Sequence, residues 1–159
     1  ESLAAKTSES INLAVAGLDE IKLIDQVDGQ FLLGATNWVG RHVPYHASAL
    51  GKVLLAFNAA QLPTGSLQQL ASKTITSKIQ LNRELEKVRK VGFAILDNEL
   101  EEGLVAVAAP VFDHNGKVIA AISISGPDAR INREQLNKFG ELIIKELKKS
   151  INGRKVGAA

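Results

Sequence analysis

Two long apolar segments, 104–113 and 117–125, are separated only by His114, Asn115 and Gly116. Asn-Gly between two β-prone runs is the strongest short-range hairpin signal, because both residues tolerate the positive φ that a tight turn needs. A two-stranded ribbon is marginal alone, so the rest of the chain must extend the sheet and cover it. The segment 11–17 alternates like a half-buried strand, Gly17 to Glu20 signal a turn, and 21–24 restart an extended run. Asp28 and Gly29 form a second hairpin dipeptide ahead of 30–33, which predicts three successive antiparallel strands over 11–34. A helix follows from 48 to 57, capped by Ser48. Residues 58–81, polar and broken by Pro63 and Gly65, read as short helical turns. Asn82 caps a charged helix over 83–91 that Gly92 closes, and 93–96 form a strand. Asn132 with Gln135 makes a capping box for a last helix, whose Leu136, Phe139, Leu142, Ile143 and Leu147 recur at core-facing spacing. Strands interleaved with helices in this order give an α+β fold.

Composition narrows the class. The chain has 159 residues, 45% apolar and 23% charged, which suits one globular domain. Its net charge of +2 gives no field that would recruit nucleic acid. Without cysteine there are no disulfides and no thiolate metal sites. The apolar runs fall well short of the roughly 20 residues of a transmembrane helix, and the first residues lack a cationic signal region. The expectation is a cytoplasmic domain with no membrane partner. The chain opens at Glu1 and contains no methionine, and Leu3, Ala4, Ala5 and Lys6 read as the last turns of a helix begun earlier. A domain cut from a longer protein is expected.

Catalytic and metal motifs fail one by one. His42 and His46 have helical metal-ligand spacing, but Pro44 between them disfavours a regular helix. His114 sits in a turn. His46 immediately precedes a helix start, and its role stays open. Gly51-Lys52 lacks the upstream glycine and the following Ser or Thr of a phosphate loop. Ser123 and Ser125 lack the flanking glycines of a nucleophile elbow. No cofactor is implied, and no activated nucleophile or acid–base pair emerges.

A binding pattern remains. A helix begun at Ser48 leaves orphan N–H groups at Ala49, Leu50 and Gly51, which is how helix termini bind carboxylates. Ala47, Ala49 and Gly51 are small enough for close approach. Ser123 and Ser125 alternate with Ile122 and Ile124, so their hydroxyls share one strand face. The plainer reading is that Ser48 only caps and the serines bond neighbouring backbone. Asp97, Glu99, Glu101 and Glu102 form an acidic connector that either gates a pocket, holds a cation or is simply solvated.

Three blocks together resemble the IclR family of bacterial transcription regulators, in its C-terminal effector-binding domain. They are the run from Pro44 to Ala56, the run from Gly92 through Asp97 and Gly103 to Val111, and the run from Ala120 to Pro127. The resemblance implies a GAF-like (profilin-like) fold: a curved antiparallel sheet with helices on one side and a small-molecule pocket on the other. It implies that 1–10 end an inter-domain linker helix, that 11–153 form the effector domain, and that 154–159 are a tail. An upstream winged helix-turn-helix would contact DNA, and the chain would self-associate as a dimer or tetramer. The implied pocket draws on Ala49, Leu50, the stretch around Asp97, Leu104, Ala106, Ser123 and Ser125. Many members carry Cys where this chain has Ala106, some carry Arg at the place of Val105, and some an acidic residue at that of Leu96. The pocket is therefore expected to be more apolar here. Together with Ser48 and Gly51, these residues make an expected site for a small organic or aromatic acid. A ligand-free dimerisation module of the same fold is the alternative.

Overall fold

Strand alternation decides the centre of the molecule. The computed structural model describes residues 1–31 and 39–156, with side chains to Ser150. Within them the elements run α1 (Ser2–Thr7), β1 (Ser10–Ala16), β2 (Ile21–Val27), α2 (Ala49–Ala56), α3 (Lys78–Val91), β3 (Ala94–Asp97), β4 (Leu104–Phe112), β5 (Val118–Pro127) and α4 (Arg133–Val156). The sheet order is β2-β1-β5-β4-β3, and every neighbouring pair is antiparallel. The 104–125 hairpin thus lies at its heart, with β1 paired to β5 in a non-sequential contact. This is the expected α+β fold.

Both faces of the sheet are covered. On one, Val105, Val107, Ala109 and Ile124 pack with Leu3 and Ala4 of α1 and Leu136 and Ile143 of α4. On the other, Ala14, Leu96, Ala106, Ala108 and Ala121 pack against α2, and α3 lies on α2 through Leu81, Leu85 and Val88. The arrangement of helices on one side and pocket on the other is therefore corrected: α2 and α3 occupy the pocket side too. Small residues on the sheet make this possible, since alanines at 14, 106, 108 and 121 let an entirely buried helix sit close. Gly51 serves the same end, because a Cβ there would run into the Tyr45 backbone. Arg89 Nη1 donates to Ala56 O at 3.0 Å, satisfying one of the last carbonyls of α2.

Three local expectations change. The helix α3 begins at Lys78 with Ser77 as its cap, whose hydroxyl accepts from Gln80 N, so Asn82 lies inside the helix and 78–81 are its first turn rather than a separate short one. Asp28-Gly29 makes no hairpin: Gly29 N donates to Ser10 Oγ at 3.3 Å and Gln30 N to Ser8 O at 2.9 Å, carrying the chain across the start of β1. Gln30 and Phe31 are not strand, and the remainder of the expected third strand lies outside the described residues. The predicted capping box is present, with Gln135 N donating to Asn132 Oδ1 at 2.9 Å and Asn132 N to Gln135 Oε1 at 2.8 Å. The helix α4 runs to Val156, into the stretch read as a tail, and 157–159 lie outside the described residues.

Near its C-terminal half, α4 holds α1 through Glu146, which accepts from Lys6 Nζ at 2.6 Å, Ser2 Oγ at 3.0 Å and Lys149 Nζ at 2.9 Å. These donors, Lys6 first, hold the Glu146 carboxyl down from its usual 4.5 to about 2. A carboxyl lowered on folding adds stability above its unfolded value and loses it as pH falls through the folded one. A carboxyl-carbon NMR titration should place the Glu146 midpoint near 2, and Lys6→Ala should move it upward. A midpoint at the ordinary value in the unmodified chain would show that α1 is not docked this way.

Candidate functional site

The first turn of α2 faces the sheet across a cavity. Ser48 takes up extended φ and ψ of −140° and 147°, and its hydroxyl accepts from Gly51 N at 3.0 Å while donating to Pro44 O at 3.2 Å. Its proton and one of its two lone pairs are thereby used. Gly51, expected to offer an orphan N–H, has given it to this cap, and the free donors of the turn are Ala49 and Leu50. From the sheet come Asn12 of β1, Leu104 and Ala106 of β4, and Ser123 and Ser125 of β5. Leu96 of β3, Leu100 of the β3–β4 connector, and Ile21, Leu23 and Val43 complete an apolar wall. Among the described residues no charged side chain lines the cavity. It encloses about 40 Å³, room for a few water molecules.

Of the expected site residues, Ser48, Ala49, Leu50, Leu104, Ala106, Ser123 and Ser125 come together around this space. Gly51 and Asp97 do not line it. Asp97 is turned outward, where Asn98 Nδ2 at 2.9 Å and Lys73 Nζ at 3.1 Å hold its carboxyl below the ordinary range, the Asn98 bond first. The sequence reading missed Asn12. Alternation in 11–17 suggested a strand with one wet face, which would leave Asn12 in water, whereas Asn12 is 3% exposed and faces α2. Asn12 Nδ2 donates to Ser125 Oγ at 2.9 Å, and Asn12 Oδ1 is buried without a partner.

The histidines do other work. His46 is buried with Nε2 2.9 Å from Gln68 O, which requires that nitrogen to carry the proton and ties down the 58–78 segment. His42 lies at the surface beside Glu20, 2.6 Å away. Among the described residues no group of three or more His, Cys, Asp or Glu is arranged to hold a metal.

One turn beyond the free N–H groups lies an ion pair that the sequence analysis did not anticipate. Lys52 is fully buried, and its Nζ donates to Glu99 Oε1 at 2.6 Å and to Ile95 O at 3.2 Å. The acidic connector is therefore not simply solvated. Glu99 turns inward, its backbone carbonyl accepts from Thr74 Oγ1 at 2.6 Å, and its Oε2 is buried without a partner. Burial pushes the Glu99 carboxyl up, with the Lys52 charge opposing the rise. Asn98, at a φ of 57°, turns the connector by accepting from Gly103 N and donating to Asp97 and Asp128. The pair thus joins α2, β3 and the loop that carries Leu100 to the cavity. Removing one partner strands the other charge, so Glu99→Leu should cost about 3–5 kcal/mol. The double change Lys52→Met with Glu99→Leu should cost less than the two singles summed. Urea denaturation of the cycle measures this, and strict additivity would mean that the two groups do not interact.

The family model "Bacterial transcriptional regulator IclR C-terminal" matches residues 1–151. The chain is 37% identical over 142 residues to the HTH-type transcriptional regulator KdgR of Escherichia coli, covering 86% of this chain and 54% of that protein. It spans about half the length of the curated relatives it matches. The crystal structure of the Thermotoga maritima IclR superposes with a TM-score of 0.82 at 32% identity, covering 98% of this chain and 64% of the other. An inducer-binding domain of the PobR transcription factor from Acinetobacter, a double mutant in complex with 3-hydroxybenzoic acid, shares the fold. Its TM-score is 0.72 at 23% identity, over 89% of this chain and 91% of that one. No helix among the described residues is long and apolar enough to cross a membrane. The chain belongs to the IclR family of bacterial transcriptional regulators and corresponds to their C-terminal domain.

Proposed function

We propose that this domain senses a small organic or aromatic acid in the cavity between α2 and the sheet, and that it carries out no reaction of its own. The observation that carries the reading is the convergence of unpaired donors on a space that no charged side chain lines among the described residues. Ala49 and Leu50 offer backbone N–H groups at the positive end of α2, and Ser123 and Ser125 offer hydroxyls from the opposite wall. An anion there is stabilised by fixed dipoles, with Leu50 and Leu104 against its apolar part.

Such a site holds a ligand larger than a few waters only if its apolar wall yields. Leu100 and Leu104 stand on the connector and the β4 start that the Lys52–Glu99 pair anchors, so an incoming acid shifts the part of the domain tied to α2. In a longer regulator that shift would be read by DNA-binding segments, reached through the helix of which α1 is the end. The docking of α1 on α4 supports this, because a helix with Leu3 and Ala4 buried moves with the domain. Affinity for DNA then changes only as far as the acid favours one assembly of the cytoplasmic dimer or tetramer over another.

A closed dimerisation module is the second reading, and the small size of the cavity favours it. Calorimetric titration with a panel of small acids separates the two. Saturable binding is expected, and Ser123→Ala with Ser125→Ala should weaken it by about 150-fold or more, since each of two hydrogen bonds to a charged group is worth about 1.5–3 kcal/mol. Unchanged affinity in that double variant would remove the pocket assignment, and no binding across the panel would leave the dimerisation module.

A further inference from the structure

Polar groups around the cavity are not all of one kind. The N–H groups of Ala49 and Leu50 only donate, and the hydroxyls of Ser48, Ser123 and Ser125 can accept as well as donate. Asn12 Oδ1 only accepts. It belongs to a cavity-lining side chain that is 3% exposed, and among the described residues no atom donates to it. Its orientation follows from its neighbours. Asn12 stands opposite Ser123 in the β1–β5 ladder, and its Nδ2 is committed to Ser125 Oγ at 2.9 Å. That bond commits the amide nitrogen, leaves the Ser125 proton free to be given to a ligand, and makes Oδ1 the buried group of the pair that still needs a donor.

Resting on the acid-sensing reading above, we infer that Asn12 sets the specificity of the site, and that the acid it selects carries a hydroxyl beside its carboxylate: a hydroxy acid in preference to its oxo or unsubstituted counterpart. The reason is a matching of donors with acceptors. An ionised carboxylate has only acceptor oxygens, so it satisfies the N–H groups and the serines but has no proton for Asn12. An oxo group adds another acceptor and leaves Asn12 facing a lone pair. A hydroxyl supplies the proton that Asn12 Oδ1 needs. A ligand without it leaves that buried acceptor unmade. That is the situation in which hydrogen-bonding sites discriminate strongly against analogues lacking the group.

The test uses the chain itself and two series of three acids: lactate, pyruvate and propionate, then mandelate, phenylglyoxylate and phenylacetate. Members of each series differ only at the carbon next to the carboxylate. Calorimetry should give the hydroxy acid of at least one series an affinity about tenfold or more above both others. In Asn12→Val the preference should fall to near unity. The ligand comparison on the unmodified chain stands even if this variant fails to fold. Equal affinity for hydroxy and unsubstituted acids would overturn the inference while leaving the acid pocket standing. Preference for the oxo acid would overturn it by showing the amide turned the other way. Binding by none of the six would remove the acid-sensing reading, and this inference with it.

Discussion

The Lys52–Glu99 pair sets the geometry on which the rest of the candidate site depends. A fully buried ammonium is tolerable only where nearby oxygens replace its hydration, and here Glu99 and the Ile95 carbonyl do so. Ile95 belongs to β3, the edge strand, so Lys52 also covers a carbonyl that no neighbouring strand reaches. Three pieces of chain distant in sequence are thereby fixed to one another. The first turn of α2 is held over the sheet, and the connector behind β3 is drawn in so that Leu100 meets the cavity.

Burial on both faces of the sheet follows the same logic. A helix can be wholly buried against strands only where the strands present small side chains, and the alanines of β1, β4 and β5 do that on the α2 side. Larger residues of the same strands, Val105, Val107 and Ile124, point the other way and receive α4. Where alanine gives way to Asn12, Ser123 and Ser125, contact with α2 is incomplete and a cavity opens. The site is thus a polar interruption in an otherwise apolar interface, and its donors and its acceptor have no partners because the packing that would supply them stops there.

Much of this was legible in the residues. The Asn-Gly hairpin, the Ser48 cap and the Asn132–Gln135 capping box are local patterns whose chemistry lies within a few positions, and each appears in the structure as expected. Most of the cavity wall was legible as well, because helix termini and alternating serines declare their free groups by position. The start of α3 was not. Ser77 and Asn82 are both capable caps, and the buried positions Leu81, Leu85 and Val88 decide for the earlier one, since a helix beginning after Asn82 would forfeit the first of them.

What lay beyond the sequence were facts about neighbours. The sequence by itself determined the family, the strand pairs joined by tight turns, and the helix whose first turn offers free N–H groups, all through contacts short in chain separation. Only the tertiary structure decided that Asn12 is buried, that Glu99 turns inward to Lys52, and that Gly51 gives up its N–H to Ser48. The first two depend on which element covers which face, and burial is a property of packing that no single strand pattern carries. Side chains alternate between the two faces of a half-buried and of a doubly buried strand alike, so one polar residue in the run does not say which face is covered. Asn12 reads as a surface residue until α2 closes over it.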